Sequence, residues 1–239
     1  MPPSPPTTTA PPQHPPLTRN TLRSLLHNPS FPLLALPFAI YVSAFNATSS
    51  LLVPILTPHG FSETASGIAG ALLIVVGLLS SAVTSPILDR HPSLRIPVVK
   101  GLVPVIAACY LALIWVPATR SLVGIYILMS VLGAASFSLV PLALEMLVDV
   151  GGPQVGAEVG SCLCWAAGQL GGGVFIVVMD ALNGRDMQRG CAFQAVLCLA
   201  VVPAPLCLGW FGTGVGIGER DKIRDDAQRQ EDVWLEERD

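Results

Sequence analysis

The sequence contains few charged residues. Asp, Glu, Lys and Arg make up 12% of the 239 residues, whereas a soluble globular domain has about 25%. The charges are also unevenly placed, since residues 219–239 hold nine of the sixteen acids and five of the thirteen bases. Residues 31–218 therefore contain only thirteen charged residues, a composition typical of an integral membrane protein. No basic patch with interleaved aromatic residues is present, which argues against a nucleic-acid partner.

The sequence also lacks the side-chain sets of enzymes and metal sites. The apolar segments hold no paired acids, no pair of histidines and no Ser–Lys or Ser–His arrangement at a shared depth, so an intramembrane enzyme is not expected. All four histidines lie in tails or loops, which argues against a proton relay or axial haem ligation. The six cysteines lie in or beside apolar runs and are interpreted as buried thiols. We therefore expect no metal and no cofactor.

Long apolar runs dominate the rest of the chain. A membrane-spanning helix needs roughly 20 mostly apolar residues, and six runs meet this requirement, at residues 31–56, 63–88, 96–116, 121–148, 157–182 and 191–211. Residues 1–30 are rich in Pro and Thr and are predicted to form a disordered tail or an inter-half loop. Residues 213–239 form a charged tail. The sequence therefore predicts an all-α integral membrane protein whose transmembrane domain covers residues 31–212.

Lys and Arg are distributed unequally between the two sides of this predicted domain. If the N-terminus is cytosolic, the cytosolic side holds ten of these residues and the opposite side holds three. Positive residues accumulate on the cytosolic side of membrane proteins. The sequence therefore predicts that both termini are cytosolic, and it does not distinguish the plasma membrane from a vacuolar or lysosomal membrane.

Two polar side chains are predicted near the middle of the membrane. Gln169 lies in the apolar stretch CWAAGQLGGGVF of the fifth segment, and Asn46 lies in the first segment. A polar residue at this depth is a candidate functional residue, but an interhelical hydrogen bond between structural residues explains Gln169 equally well. Trp165 lies one turn before Gln169, where it could offer a cation–π face or simply contact lipid or a neighbouring helix.

Small residues recur every four positions along the same segment. Gly160, Cys164, Gly168 and Gly172 form a ridge that predicts close approach of another helix. Charged residues mark the predicted cytosolic helix ends, with Asp89 and Arg90 closing the second segment and Glu145 and Asp149 one turn apart in the fourth. These four charges are interpreted either as solvated helix ends or as functional residues.

The loop after the second segment, SPILDRHPSLR, resembles the signature loop of the major facilitator superfamily of transporters. That signature is similar to Gly-x-x-x-Asp-Arg-x-Gly-Arg. Asp89 and Arg90 match it, whereas Ser85, Pro92 and Ser93 replace its Gly and Gly-Arg residues. The resemblance implies that the six segments form one half of such a transporter, built from two inverted three-helix repeats.

A narrower resemblance rests on GFSETASGIAGALLIVVGL, SLVPLALEMLVDV and CWAAGQLGGGVF. These stretches look like the feline leukaemia virus subgroup C receptor-related transporters and their fungal-type relatives. That family carries choline, ethanolamine or related small organic solutes, and haem has also been proposed. The resemblance implies that Gln169 faces a central substrate cavity and that Phe45 and Asn46 fall where the family places a cavity aromatic residue. Trp165 completes the predicted substrate-binding set.

The resemblance also implies a role for the charges. Asp89 would lie against the start of the fifth segment, near residues 156–160, where the helix dipole favours a carboxylate. Arg90 would pair with Glu145 or Asp149, and together these contacts would hold the cytosolic side closed.

Transporters of this superfamily have twelve helices, whereas this sequence contains six. The chain could be a truncated product of a longer gene, it could pair with another half-transporter, or it could self-associate. The expected partners are the lipid bilayer, a small-molecule solute and a second six-helix half. The leading hypothesis is a solute carrier that works by alternating access, and the alternative is a membrane scaffold or receptor that transports nothing.

Overall fold

The computed structural model of the protein describes residues 30–151, 157–182 and 187–207. Apart from three short 3-10 turns, the regular elements in these ranges are seven α-helices: α1 (Ser30–Leu56), α2 (Glu63–Arg90), α3 (Arg95–Ala112), α4 (Leu122–Gly151), α5 (Ala157–Ala181), α6 (Gln188–Ala200) and α7 (Pro203–Leu206). Within the described ranges, six spans are long and apolar enough to cross a membrane, and α6 and α7 together form the sixth. The predicted all-α fold with six transmembrane helices is confirmed. The predicted tails lie outside the described residues, except for Ser30.

The helix limits differ from the sequence prediction mainly where prolines interrupt a segment. The third segment was expected to continue to residue 116, but α3 ends at Ala112 and a 3-10 turn, Val116–Thr119, follows. Pro117 has no N–H and restricts the residue before it, which disfavours continuation of the helix at this point, although α3 does continue through Pro104. The sixth segment likewise divides after Ala200, and Pro203 begins the short helix α7 at a position where its missing N–H costs no hydrogen bond.

Helix α2 has a well-defined beginning. The hydroxyl of Ser62 accepts a hydrogen bond of 3.1 Å from the N–H of Ala65, and Glu63 lies in the first turn, where the helix dipole favours an acid. Gly60 precedes this cap with a φ of 91°, a backbone conformation that glycine adopts without strain. This polar turn therefore ends α1 and starts α2 within six residues.

The bundle contains two closely packed helix pairs. Helix α2 packs most extensively against α4, and α1 packs most extensively against α5. In the first pair, a Cβ added at Gly77 would lie 2.8 Å from the carbonyl oxygen of Gly133, and one added at Gly133 would overlap the carbonyl of Leu73. In membranes, small residues of this kind allow helix backbones to approach closely.

The second pair depends on the glycines of α5. A Cβ at Gly168 would lie 2.7 Å from Val42, and one at Gly172 would lie 2.8 Å from the Cβ of Asn46. Gly160 is buried. The four-residue spacing does not include Gly171, although a Cβ added there would overlap the side chain of Ser43 on α1.

The packing relates the first three helices to the last three. If α1, α2 and α3 are matched in order with α4, α5 and α6, the contact of α2 with α4 corresponds to the contact of α5 with α1. Helices α3 and α6 pack beside these pairs. This correspondence is expected of two inverted three-helix repeats. The four helices of the two pairs leave a concave region between them, and the candidate site lies there.

Candidate functional site

A cavity of about 400 Å³ lies between the two helix pairs. Helices α1, α2, α4 and α5 supply nearly all of its wall, and α3 contributes Ile106. None of the described residues that line it is charged. The lining consists of Phe38, Tyr41, Val42, Phe45, Asn46, Ser81, Ile106, Ser136, Phe137, Leu139, Val140, Pro141, Trp165 and Gln169. The structure therefore brings all four sequence-predicted substrate residues, Gln169, Asn46, Phe45 and Trp165, to one cavity.

The two amide side chains of the cavity are bonded to each other. Asn46 Nδ2 of α1 donates a hydrogen bond of 2.8 Å to Gln169 Oε1 of α5. Gly172 makes this contact possible, because a side chain at that position would displace Asn46. The sequence identified both residues separately, but only the packing of α1 on α5 shows that they are partners.

Two aromatic pairs contribute to the cavity wall. The rings of Phe38 and Trp165 lie 6.1 Å apart, and those of Phe45 and Phe137 form an edge-to-face pair at 5.5 Å. Phe38 and Phe45 are seven residues apart on α1, so the two pairs are separated by about 10 Å along the helix. Sequence reasoning missed Phe38, Tyr41 and Phe137. The spacing of residues 38, 41, 42, 45 and 46 on one helical face was the available signal for the first two.

Hydrogen bonds between helices fix α1 in position. The Ser43 hydroxyl lies 2.7 Å from the carbonyl oxygen of Ala39 and 3.1 Å from that of Gly168, so it can donate to either. The Tyr41 hydroxyl donates to the carbonyl oxygen of Cys198 at 3.1 Å. These contacts join α1 to α5 and to α6.

Gln194 of α6 is a further buried amide that sequence reasoning missed. Its side chain is fully buried, and Nε2 donates to the carbonyl oxygen of Ala44 at 2.9 Å and to Thr48 Oγ1 at 2.7 Å. The signal was the one that identified Gln169, a glutamine within an apolar segment. Gln194 does not line the cavity, and its hydrogen bonds join α6 to α1.

A cluster of hydroxyl groups joins α2 to α4 beside the cavity. Ser138 lies 2.9 Å from the hydroxyl of Ser80 and accepts a hydrogen bond of 3.1 Å from Thr84. Ser138 also lines a small crevice with Ser85, Asp89 and Glu145. The cluster therefore lies between the uncharged cavity and the charged end of the bundle.

The charged end of the bundle contains an ion pair that the sequence did not predict. Glu145 of α4 pairs with Arg95 of α3 at 3.3 Å. The expected pairing of Arg90 with Glu145 or Asp149 stays a prediction. Arg95 is only 6% exposed, while Arg90 is exposed in the last turn of α2. The short turn Pro92–Leu94 lies between Arg90 at the end of α2 and Arg95 at the start of α3.

Two of the predicted gating contacts remain predictions. The side chain of Asp149 lies outside the described part of the structure, as do residues 152–156 near the start of α5. Asp89 is exposed and lines the same crevice as Glu145. Its expected contact with the start of α5 is not tested.

Comparison with known proteins agrees with this architecture. The family model of the Major Facilitator Superfamily matches residues 1–176, and the chain belongs to this family. It is 29% identical over 163 residues to solute carrier family 49 member A3 of Xenopus tropicalis, an alignment that covers 68% of this chain and 33% of the relative. The protein of the same name from Danio rerio is 25% identical over 163 residues, with 67% and 34% covered. The chain therefore spans about a third of the length of these curated relatives.

Proposed function

We propose that the chain forms one half of a carrier that moves a small organic solute across a membrane by alternating access. The observation that supports this proposal best is the convergence of Asn46, Gln169, Phe45 and Trp165 on one uncharged cavity between two helix pairs. In transporters built from inverted repeats, the substrate site lies near the midplane at the repeat interface. The family of the chain and the names of its relatives support the same activity.

The proposed solute is a small choline-like or ethanolamine-like cation. The narrower resemblance found in the sequence implies this class, and the lining is compatible with it. Five aromatic rings surround the cavity, and an aromatic face attracts an onium group by about 0.5–2 kcal/mol. The lining residues carry no acid, so binding would depend on these rings and on the uncharged amides.

The proposed orientation places both termini in the cytosol. The Arg95–Glu145 pair, together with Asp89, then lies at the cytosolic end of the bundle. We propose that this pair, together with the pairing predicted for Arg90, helps to hold that side closed. Opening would separate α3 from α4 and expose the buried Arg95 guanidinium to water, whereas Glu145 is already half exposed.

A second six-helix half is proposed to cover the cavity. Trp165 and Gln169 are exposed on one stripe of α5, and a Cβ added to Gly173 on the same stripe would meet no atom within 4 Å. A glycine in a helix interior lowers helix stability by about 1 kcal/mol relative to alanine. Contacts among the described residues do not explain why position 173 is a glycine. The greater length of the relatives supports a second half in the same or another chain.

Uptake of radiolabelled choline and ethanolamine into cells that express the protein tests this function. Gln169→Ala should reduce uptake at least about tenfold because it removes a cavity amide, which corresponds to about 1.4 kcal/mol. Gln188→Ala is the matched control, since Gln188 is exposed at the start of α6. Equal uptake by wild type and Gln169→Ala would contradict the proposed site. Absence of uptake together with intact partner binding would favour the scaffold hypothesis.

A further inference from the structure

The hydroxyl of Tyr110 on α3 and Oε1 of Gln194 on α6 are buried without a hydrogen-bond partner among the described residues. Each of the two residues is 1% exposed. The Gln194 amide cannot find a partner by turning over, because its Nε2 donates to the carbonyl oxygen of Ala44, which would repel Oε1 in the same place. Burial of a polar group without a partner is costly. Two such groups on neighbouring helices therefore indicate a polar site.

Both groups belong to the junction of α1, α3 and α6. Helix α6 packs against α1 and against α3. Tyr110 is close enough to Tyr41 and Cys198 to interact electrostatically with both, and the Tyr41 hydroxyl donates to the carbonyl oxygen of Cys198. Cys198 lies on the same face of α6 as Gln194 and about 5.4 Å further along it, one helical turn away. The two unpaired atoms therefore lie in one region of the bundle.

The groups at this junction are chemically complementary. A phenol hydroxyl donates a hydrogen bond, and an amide carbonyl accepts one. The oxygen of Tyr41 can also accept, because its own hydrogen is directed at the carbonyl oxygen of Cys198. A water molecule could accept from Tyr110 and donate to Gln194 and Tyr41, and buried waters typically make about three hydrogen bonds. A cation would leave the Tyr110 hydrogen unpaired, and an anion would be repelled by Gln194 Oε1.

We propose that the junction of α1, α3 and α6 binds an internal water molecule, held by Tyr110, Gln194 and Tyr41. The site is separate from the cavity, since neither Tyr110 nor Gln194 lines it. Tyr41 belongs to both, because its side chain contributes to the cavity wall while its hydroxyl reaches α6. The inference depends neither on the identity of the solute nor on transport, so it can fail while the proposed function stands.

X-ray radiolysis of the purified 239-residue chain in detergent tests this site. Hydroxyl radicals formed from a bound water oxidise the side chains beside it, and mass spectrometry identifies the oxidised residues. Tyr110 should be oxidised although it is buried. Met129 and Met179 are fully buried and carry a more reactive side chain, so they serve as internal controls and should stay unmodified.

Two variants test whether the named groups hold the water. Tyr110→Phe removes the hydroxyl and keeps a ring of similar reactivity, so oxidation at position 110 should be lost. Gln194→Leu removes the acceptor and should also abolish oxidation of Tyr110, whereas Gln188→Ala, an exposed change on the same helix, should preserve it.

The internal controls also report on folding. If Gln194→Leu does not fold, Met129 and Met179 become oxidised, and Tyr110→Phe alone then decides the test. Tyr110 that is oxidised no more than the two methionines in wild type overturns the inference. Oxidation at position 110 that persists in Tyr110→Phe overturns it as well, because the water would then be held by other groups.

Discussion

The contact between Gly172 and Asn46 allows a stability prediction with an internal control. In Gly172→Ala the new Cβ would lie 2.8 Å from Asn46 Cβ and 3.0 Å from its Nδ2. These distances are too short, so α1 and α5 must separate or the Asn46 side chain must rotate away from Gln169. The adjacent change Gly173→Ala adds the same methyl group to the same helix, where it meets no atom within 4 Å.

The expected size of the effect follows from three contributions. Overpacking of a tight contact costs about 1–3 kcal/mol, and loss of an interhelical hydrogen bond in a membrane costs about 0.6–1.7 kcal/mol. Replacing a helical glycine with alanine stabilises the helix by about 1 kcal/mol. Gly172→Ala should therefore lower the free energy of unfolding by about 1–4 kcal/mol. Gly173→Ala should leave it unchanged or raise it by up to about 1 kcal/mol.

Thermal unfolding of the detergent-solubilised protein, followed by loss of the folded peak in size-exclusion chromatography, measures this difference. For a chain of this size, each kcal/mol corresponds to about 2–4 °C in Tm. Gly172→Ala should unfold several degrees below wild type, and Gly173→Ala should not. Equal Tm values for the two variants would refute the conclusion that α1 and α5 touch at Gly172.

Three further predictions concern other contacts of the bundle. Arg95→Glu should reduce uptake because two acids then face each other, and adding Glu145→Arg should restore it. Combining Arg90→Glu with Glu145→Arg should not restore uptake. Transport assays of the three variants therefore distinguish Arg95 from Arg90 as the partner of Glu145. Ser138→Ala should lower the free energy of unfolding by about 1–3 kcal/mol, as two hydroxyl contacts are lost, and a change below the error of the thermal assay would contradict the cluster. Gln194→Leu should lower the Tm by several degrees, since the loss of hydrogen bonds to α1 costs about 1–3 kcal/mol, and a wild-type Tm would show that these bonds contribute little.

The helices could be predicted from the sequence because a bilayer requires long apolar segments. Their limits could be predicted less well, since α3 ends four residues before the predicted limit at residue 116 and Pro203 lies within the sixth apolar run. Prolines inside α1, α2 and α4 do not end those helices. The length of an apolar run and the position of a proline can therefore predict different helix ends. The packing of neighbouring helices determines whether the helix continues through the proline.

The polar residues of the site could be predicted, but their partners could not. Gln169 and Asn46 stand out because polar groups are rare at their depth, yet only the approach of α5 to α1 shows that they bond. Phe137 carries no such signal, because an aromatic side chain suits lipid, a helix interface or a cavity equally well. Arg95 was overlooked as the partner of Glu145 because its position depends on the turn between α2 and α3.

The division into two helix pairs bears on which compounds the protein could carry. Within each pair the backbones touch at glycines, so each pair is expected to move as one body, whereas the cavity lies where the bodies meet. Asn46, Gln169 and Trp165 belong to one pair, and Ser81 and Phe137 belong to the other. On the proposed function, a bound solute would therefore act as a spacer between the two pairs. A compound too long for the pairs to close around it should then bind without being carried and inhibit transport. The upper size limit for transport and the lower size limit for inhibition should therefore coincide.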